Sequence, residues 1–259
     1  MRPVMVGADG SEEAARAVEW AADEAARRRA PLLVANVTGR MPFEPREAAE
    51  RARERHPGLE VSAESLSGRT GEALARRAGD ACLLVVGNRG LGGFTGLLLG
   101  STGLYLAANA PCPTVIVRGR SGGDMIVAGV SGKPGQDHVL EFAFEEAMLR
   151  HVRLRALHAW SQPASRAPGD MLPLVYDVQA VGEEEHRLLA ETVAGHRERF
   201  PDVDVQEVTE HGHRGHLLVE ASRAACLVVV GSRGRMRLGS ATHAVLHHAE
   251  CPVAVVPHP

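Results

Sequence analysis

Cys82-Leu83-Leu84-Val85-Val86-Gly87-Asn88-Arg89-Gly90, then nine residues, then Gly100-Ser101-Thr102: this segment sets the architecture of the chain. An uninterrupted apolar run rich in valine reads as a strand buried on both faces, the signature of a parallel sheet. The glycines that follow let backbone come close to an anion. Gly100-Ser101-Thr102 opens a helix, whose unpaired N–H groups and positive dipole end attract phosphate. A strand, a glycine loop and a helix in that order place a ligand beyond the carboxyl end of the strand.

The segment has an echo. Val85-Val86-Gly87-Asn88-Arg89-Gly90 recurs as Val229-Val230-Gly231-Ser232-Arg233-Gly234, at an offset of 144. Pro57, Gly68 and Gly71 recur at the same offset as Pro201, Gly212 and Gly215. Gly7-Ala8-Asp9-Gly10 meets Gly129-Val130-Ser131-Gly132 at an offset of 122, and Ala110-Pro111-Cys112-Pro113 meets Ala249-Glu250-Cys251-Pro252 at 139. The second copy gains 22 residues between Trp160 and Val181 and loses 5 just after Gly234. Two tandem copies of one unit account for these offsets. They predict a first domain over residues 1–119 and a second over 124–259, joined by the flexible stretch Gly119-Arg120-Ser121-Gly122-Gly123.

Each copy alternates strand and helix signals. In the first, strands are expected at 3–8, Leu32–Val37, Leu59–Leu66, where Leu59, Val61 and Ala63 alternate, 82–86 and 113–118. Helices are expected at 12–29, where Ala14, Ala15, Val18, Ala21, Ala22 and Ala25 keep helical spacing, and near 44–55, 71–79 and 101–109. In the second copy strands fall near 125–130, 153–159, 203–208, 226–230 and 252–256. This alternation implies an α/β fold: two tandem open-twisted, five-stranded, parallel-sheet domains of Rossmann-like type. The four cysteines follow the repeat, Cys82 with Cys226 and Cys112 with Cys251. None has C-x-x-C spacing, so they read as buried thiols of a reducing compartment.

Composition excludes several classes. Of 259 residues 44% are hydrophobic and 24% charged, enough for a packed core. No apolar run approaches the ~20 residues of a membrane span, and no secretory leader precedes Asp9. Net charge is −3 and aromatics are 3%, which argues against a phosphate-backbone surface or a base-stacking platform. The expectation is a cytoplasmic protein with neither nucleic acid nor membrane as partner.

Ligand-bearing residues are sought at the strand ends: Gly7 to Asp9, Asn36-Val37 and Gly87 to Ser101. Asp9 is placed to fix a ribose or accept a magnesium ion, Arg89 to neutralise phosphate, Ser101 and Thr102 to donate hydroxyls. Other phosphate motifs are missing. There is no G-x-x-x-x-G-K-[ST], and Lys133, the only lysine, lies in Ser131-Gly132-Lys133-Pro134. Twelve of thirteen histidines lie from His138 onward, with His243 and His247 at i,i+4. They lack the glutamate of H-E-x-x-H, and no metal site is assigned to them.

Tandem α/β units with G-x2-G-x9-G-[ST], a Val-Gly-Ala-Asp-Gly-Ser start and a Cys-Pro-Thr-Val-Ile-Val ending resemble the universal stress protein family of the adenine-nucleotide α hydrolase-like superfamily. The resemblance covers nearly the whole chain. It implies ATP, with Mg2+, held by Gly7, Ala8, Asp9, Val37, Gly87, Asn88, Arg89, Gly90, Gly100, Ser101 and Thr102. Within that set the loop takes the phosphates, Asp9 faces the nucleoside and the backbone at Val37 meets adenine. It also implies that the two last strands pair, packing the copies as a pseudo-dimer within one chain, with a homodimer as a further possibility.

The second copy departs from the pattern. Ser131 stands where Asp9 stands, and four residues separate Gly234 from Gly239-Ser240. Four residues span at most ~14 Å, too little to wrap a triphosphate in the same way. Ser131, Gly231, Arg233, Gly234, Gly239 and Ser240 therefore mark at most a degenerate second site. No nucleophile, acid–base pair or catalytic metal set is visible, so a nucleotide-binding stress or signalling protein is expected. The alternatives are a slow ATP hydrolase or nucleotidyl-transfer enzyme and a nucleotide-free interaction module.

Overall fold

Val4, Met5 and Val6 have no exposed surface, and neither do Leu83, Leu84 and Val85. Such runs can only lie between two layers of helix, and that is their place in the computed structural model. It describes residues 1–38, 43–91, 99–120, 122–132, 136–161, 178–232 and 238–258. In chain order the first half holds β1 (Val4–Gly7), α1 (Glu12–Arg28), β2 (Leu32–Thr38), α2 (Pro45–Arg55), β3 (Val61–Ser67), α3 (Thr70–Arg77), β4 (Leu83–Gly87), α4 (Ser101–Asn109) and β5 (Thr114–Val117). The second holds β6 (Met125–Val130), α5 (Asp137–Arg150), β7 (Arg153–Trp160), α6 (Val178–Arg199), β8 (Val205–His211), α7 (Arg214–Ala221), β9 (Ala225–Gly231), α8 (Ser240–His248) and β10 (Val253–Val256).

The ten strands of the described residues form one sheet, ordered β3-β2-β1-β4-β5-β10-β9-β6-β7-β8. Every neighbouring pair is parallel except β5 and β10, which run antiparallel with Ile116 opposite Val253 and Thr114 opposite Val255. The expected pairing of the two last strands is therefore present, and it buries edges that would otherwise template aggregation. One apolar layer joins α1, α2, α5 and α6 to the sheet, and the other joins α3, α4, α7 and α8.

Two expected strands are displaced, both at the rims. The third strand starts at Val61 rather than Leu59, whose N–H closes a turn onto His56. Its apolar alternation fails because Ala63 is exposed. β8 starts at Val205 rather than 203 and runs on to His211. Rim strands have a single ladder partner, so hydrophobic pattern marks their ends poorly. The expected helix over 71–79 stops at Arg77 and tightens into a 3-10 turn, Ala78–Asp80. All four thiols are unpaired, but Cys82 is half-buried where a buried thiol was expected. Burial pushes Cys112 and Cys251 up to about 12, which leaves them inert. The connector is also less free than its glycines imply. The Arg120 N–H donates to Glu250 O at 2.8 Å, and the Arg118 guanidinium donates to Leu246 O at the end of α8.

Where α1 crosses α5, the sheet layer contains charge. Trp20, Glu24 and Arg28 on α1 are repeated at the offset of 122 by Phe142, Glu146 and Arg150 on α5. Arg28 Nε lies 2.5 Å from Glu24 Oε1, and Arg150 Nη2 lies 2.7 Å from Glu24 Oε2. Arg28 Nη2 and Arg150 Nη1 hold the two oxygens of Glu146. Each guanidinium also covers an aromatic ring, Arg28 that of Phe142 at 5.6 Å and Arg150 that of Trp20 at 5.5 Å. Both glutamates are 0% exposed. Burial opposes their ionisation: at Glu24 Arg150 and Arg28 outweigh it and hold the carboxyl below its ordinary value, while at Glu146 burial and the neighbouring Glu24 push the carboxyl up.

Candidate nucleotide site

The chain leaves β1 in one direction, through β2 to β3, and returns to the other side of β1 at β4. The reversal opens a crevice between the carboxyl ends of β1 and β4, where open parallel sheets take ligands. Gly7 closes β1 and Gly87 closes β4. The structure thus brings Gly7, Ala8 and Asp9 beside Gly87, Asn88, Arg89 and Gly90, with Val37 one strand away near the end of β2.

Local sequence explains how these residues are held. Ser11 caps α1 by accepting from the Ala14 N–H at 3.2 Å. It also donates its hydroxyl to Asp9 Oδ1 at 2.6 Å, and its N–H reaches the same oxygen at 3.1 Å. The other oxygen, Oδ2, accepts the Leu91 N–H at 2.9 Å. Asp9 therefore ties the first turn of α1 to the start of the glycine loop. An ionised carboxylate has about four acceptor positions, and these bonds occupy three of them. Arg89 adds a second tie, from Nη2 to Glu13 Oε1 on α1 at 3.2 Å. The loop's neck is closed by the Gly100 N–H donating to Asn88 O at 2.7 Å, and α4 starts at once with Ser101 and Thr102. Residues 92–98, within the nine-residue excursion, lie outside the described residues.

Two glycines are required by contact. A Cβ on Gly90 would stand 2.2 Å from Asp9 Oδ2, and one on Gly87 would stand 2.7 Å from Glu13 O. Gly100 is different: a Cβ there meets Asn88 O at an ordinary 3.5 Å. Replacing Asp9 with alanine should free the Leu91 amide, raising its hydrogen-exchange rate at least tenfold. It should also cost about 1–2 kcal/mol of stability, the worth of a few charge-assisted bonds at a partly exposed site. Unchanged exchange at Leu91 would remove Asp9 from this role.

The carboxyl end of β6 differs. The Ser131 N–H donates to Gln136 Oε1 at 2.6 Å. Gly231 closes β9, its carbonyl accepting from Thr242 Oγ1 at 3.0 Å, and Gly239 precedes Ser240 at the start of α8. Arg233 and Gly234 lie outside the described residues. His243 and His247 stack on α8 at 4.6 Å. One feature of this region escapes motif reading. Asn36 donates from Nδ2 to Ala8 O at 2.8 Å, fixing the exit of β1. At the offset of 122 its counterpart is His158, whose Nδ1 reaches Val130 O at 2.9 Å while Nε2 meets Glu185 at 2.8 Å. Aligning the copies at that offset would have shown the exchange, since Asn36 and His158 are paired in it.

A tandem pair of open parallel sheets, fused through their last strands and carrying a glycine loop at the first switch point, defines a two-unit α/β protein of Rossmann-like type. The profile described as "Universal stress protein family" matches residues 1–56, 43–118 and 124–257. The chain belongs to the universal stress protein family. It is 35% identical over 288 aligned positions to a universal stress protein of Mycolicibacterium smegmatis, covering 98% of this chain and 96% of that one. It is 34% identical to Universal stress protein Rv2005c of Mycobacterium tuberculosis, covering 97% and 96%. Among solved structures, a universal stress protein of Archaeoglobus fulgidus superposes with a TM-score of 0.69 over all of both chains at 17% identity. A Pseudomonas aeruginosa protein described as functionally unknown gives 0.72 over 100% of this chain and 93% of that one, at 16% identity. At these identities the two structures bear on the fold alone. Among the described residues no helix is long and apolar enough to cross a membrane.

Proposed function

We propose that the first half, residues 1–119, binds ATP with Mg2+ in the crevice between β1 and β4, and that the bound state is the protein's output. The observation that supports this reading best is the double tie of the loop. Asp9 and Glu13 draw residues 89–91 onto the first turn of α1, and the Gly100–Asn88 bond closes the neck. A loop whose two ends are already held costs less to fix around a ligand. In this reading the loop and the opening N–H groups of α4 take the phosphates, Asp9's remaining acceptor position takes a ribose hydroxyl, and the backbone near Val37 meets the base. Mg2+ keeps several waters and prefers phosphate oxygens. With most of Asp9's acceptor capacity in use, the metal belongs on the triphosphate. Four unpaired thiols suit a cytoplasmic setting.

The second half, residues 124–259, would bind no triphosphate, because Ser131 replaces the carboxylate and the loop is shorter. The test is titration calorimetry with MgATP. One site near ~1 μM is expected, equivalent to about −8.2 kcal/mol. Nucleotide at ~100 times its Kd should add about 2.7 kcal/mol of stability. A melting temperature unmoved by millimolar ATP, with no heat of binding, would remove the proposal and favour a ligand-free interaction module.

A further inference from the structure

The buried ring of Glu24, Arg28, Glu146 and Arg150 does more than neutralise itself. The strands at the junction of the halves carry little information about register. β5 reads Thr-Val-Ile-Val and β10 reads Val-Ala-Val-Val, and every one of these residues is buried. A slip of two residues would keep each side chain on its own face and still oppose one buried residue to another, so hydrophobic pattern alone does not choose between these registers of the pair. The helices above it are specified strongly. Glu24 is matched with Arg150, and Arg28 with Glu146. Moving α1 along α5 by one turn in one direction sets Glu24 against Glu146. In the other direction it sets Arg28 against Arg150. Either way like charges meet where both carboxyl groups are buried and screening is weak.

The pattern is also self-complementary. An aromatic, a glutamate and an arginine at intervals of four residues occur on both helices, related by the pseudo-twofold of the sheet. Each arginine covers the other helix's ring. This is an isologous contact, in which each surface recognises its own twofold image. We propose that the ring is the recognition code of the inter-half interface. It selects as partner a helix face with the same aromatic–glutamate–arginine spacing, here α5, and it sets the register in which β5 and β10 meet.

Reversing charge on one side alone separates this role from ordinary packing. In E24R/R28E the 24–28 pair within α1 survives in reversed order, Arg27 loses its 3.6 Å contact with Glu24, and both contacts across the interface become repulsive. In the full chain, this variant should speed tryptic cleavage after Arg120 at least tenfold under native conditions and lower the urea midpoint. Arg120 is a suitable reporter because its N–H is fastened to Glu250 of the second half. Adding E146R/R150E restores complementarity with all four charges exchanged. Cleavage should then return to within about threefold of wild type, with recovery of the midpoint. If the one-sided variant is insoluble, recovery of soluble, protease-resistant protein by the fourfold variant reads the same way. Wild-type cleavage and midpoint in E24R/R28E would overturn the proposal, as would a fourfold variant no better than the one-sided one.

Discussion

Arg150→Ala is expected to cost about 3–5 kcal/mol of folding stability at neutral pH, the range for removing one member of a buried ion pair. Glu146 would then be left with Arg28 alone, and Glu24 with Arg28 and the more distant Arg27 at 3.6 Å, with neither carboxyl group exposed to water. Their mutual repulsion, now opposed by less positive charge, joins the desolvation of both carboxyl groups. Loss of the Arg150 stem from the Trp20 ring adds a packing term. Set against a total stability of about 5–15 kcal/mol for a typical domain, this change moves the chain toward unfolding at moderate temperature. Urea denaturation should show the shift in midpoint. Arg150→Met combined with Glu146→Met should recover most of it, because a well-packed apolar pair is often no worse than the ions it replaces. A loss under about 1 kcal/mol for Arg150→Ala would mean that the ring is open to water.

The ring was invisible to pattern reading for an identifiable reason. The spacing of Ala14, Ala15, Val18, Ala21, Ala22 and Ala25 marks α1, and all of these but the half-buried Ala15 are on its packed face. Glu24 sits among them, but a glutamate in an alanine-rich helix reads by default as solvated. Its burial follows from what α5 brings opposite, and helix periodicity contains no information about a partner 122 residues away. The repeat does contain it, since an identical charge step recurs at the same offset. The strand order and the loop were legible because each depends on local rules: continuous apolar runs, glycines after a strand, a short polar helix start. The antiparallel joint of β5 and β10 came from the family resemblance, since both strands look alike in any pairing. The rim strands were placed two residues early because their apolar pattern has one neighbour to satisfy. At the site, Gly87, Gly90 and Asp9 could be singled out from spacing, whereas the ties by Ser11 and Glu13 depend on how α1 turns toward the loop.

Gly90 and Gly100 look equivalent in the sequence, and their substitution by valine should nevertheless have different consequences. Gly90→Val puts a side chain where Asp9 Oδ2 already lies, at 2.2 Å from the first new atom. Either the loop moves out or Asp9 turns away, and in both cases the bond to the Leu91 N–H is lost. The folded protein itself should therefore lose stability, by about 1–3 kcal/mol, the usual range for overpacking. MgATP binding should weaken at least 100-fold, which corresponds to about 2.7 kcal/mol. Gly100→Val meets no such obstacle, since its Cβ would rest 3.5 Å from Asn88 O, and Gly100 has φ −74, open to any residue. What excludes a side chain there, in the proposed function, is the phosphate alone. Gly100→Val should leave the denaturation midpoint of the free protein near wild type while abolishing the MgATP-dependent rise in melting temperature. Gly239→Val, at the matching position of the second half, should leave that rise intact, because in the proposed function no triphosphate is held there. Loss of nucleotide binding in Gly239→Val, or its persistence in Gly100→Val, would place the nucleotide elsewhere in the chain.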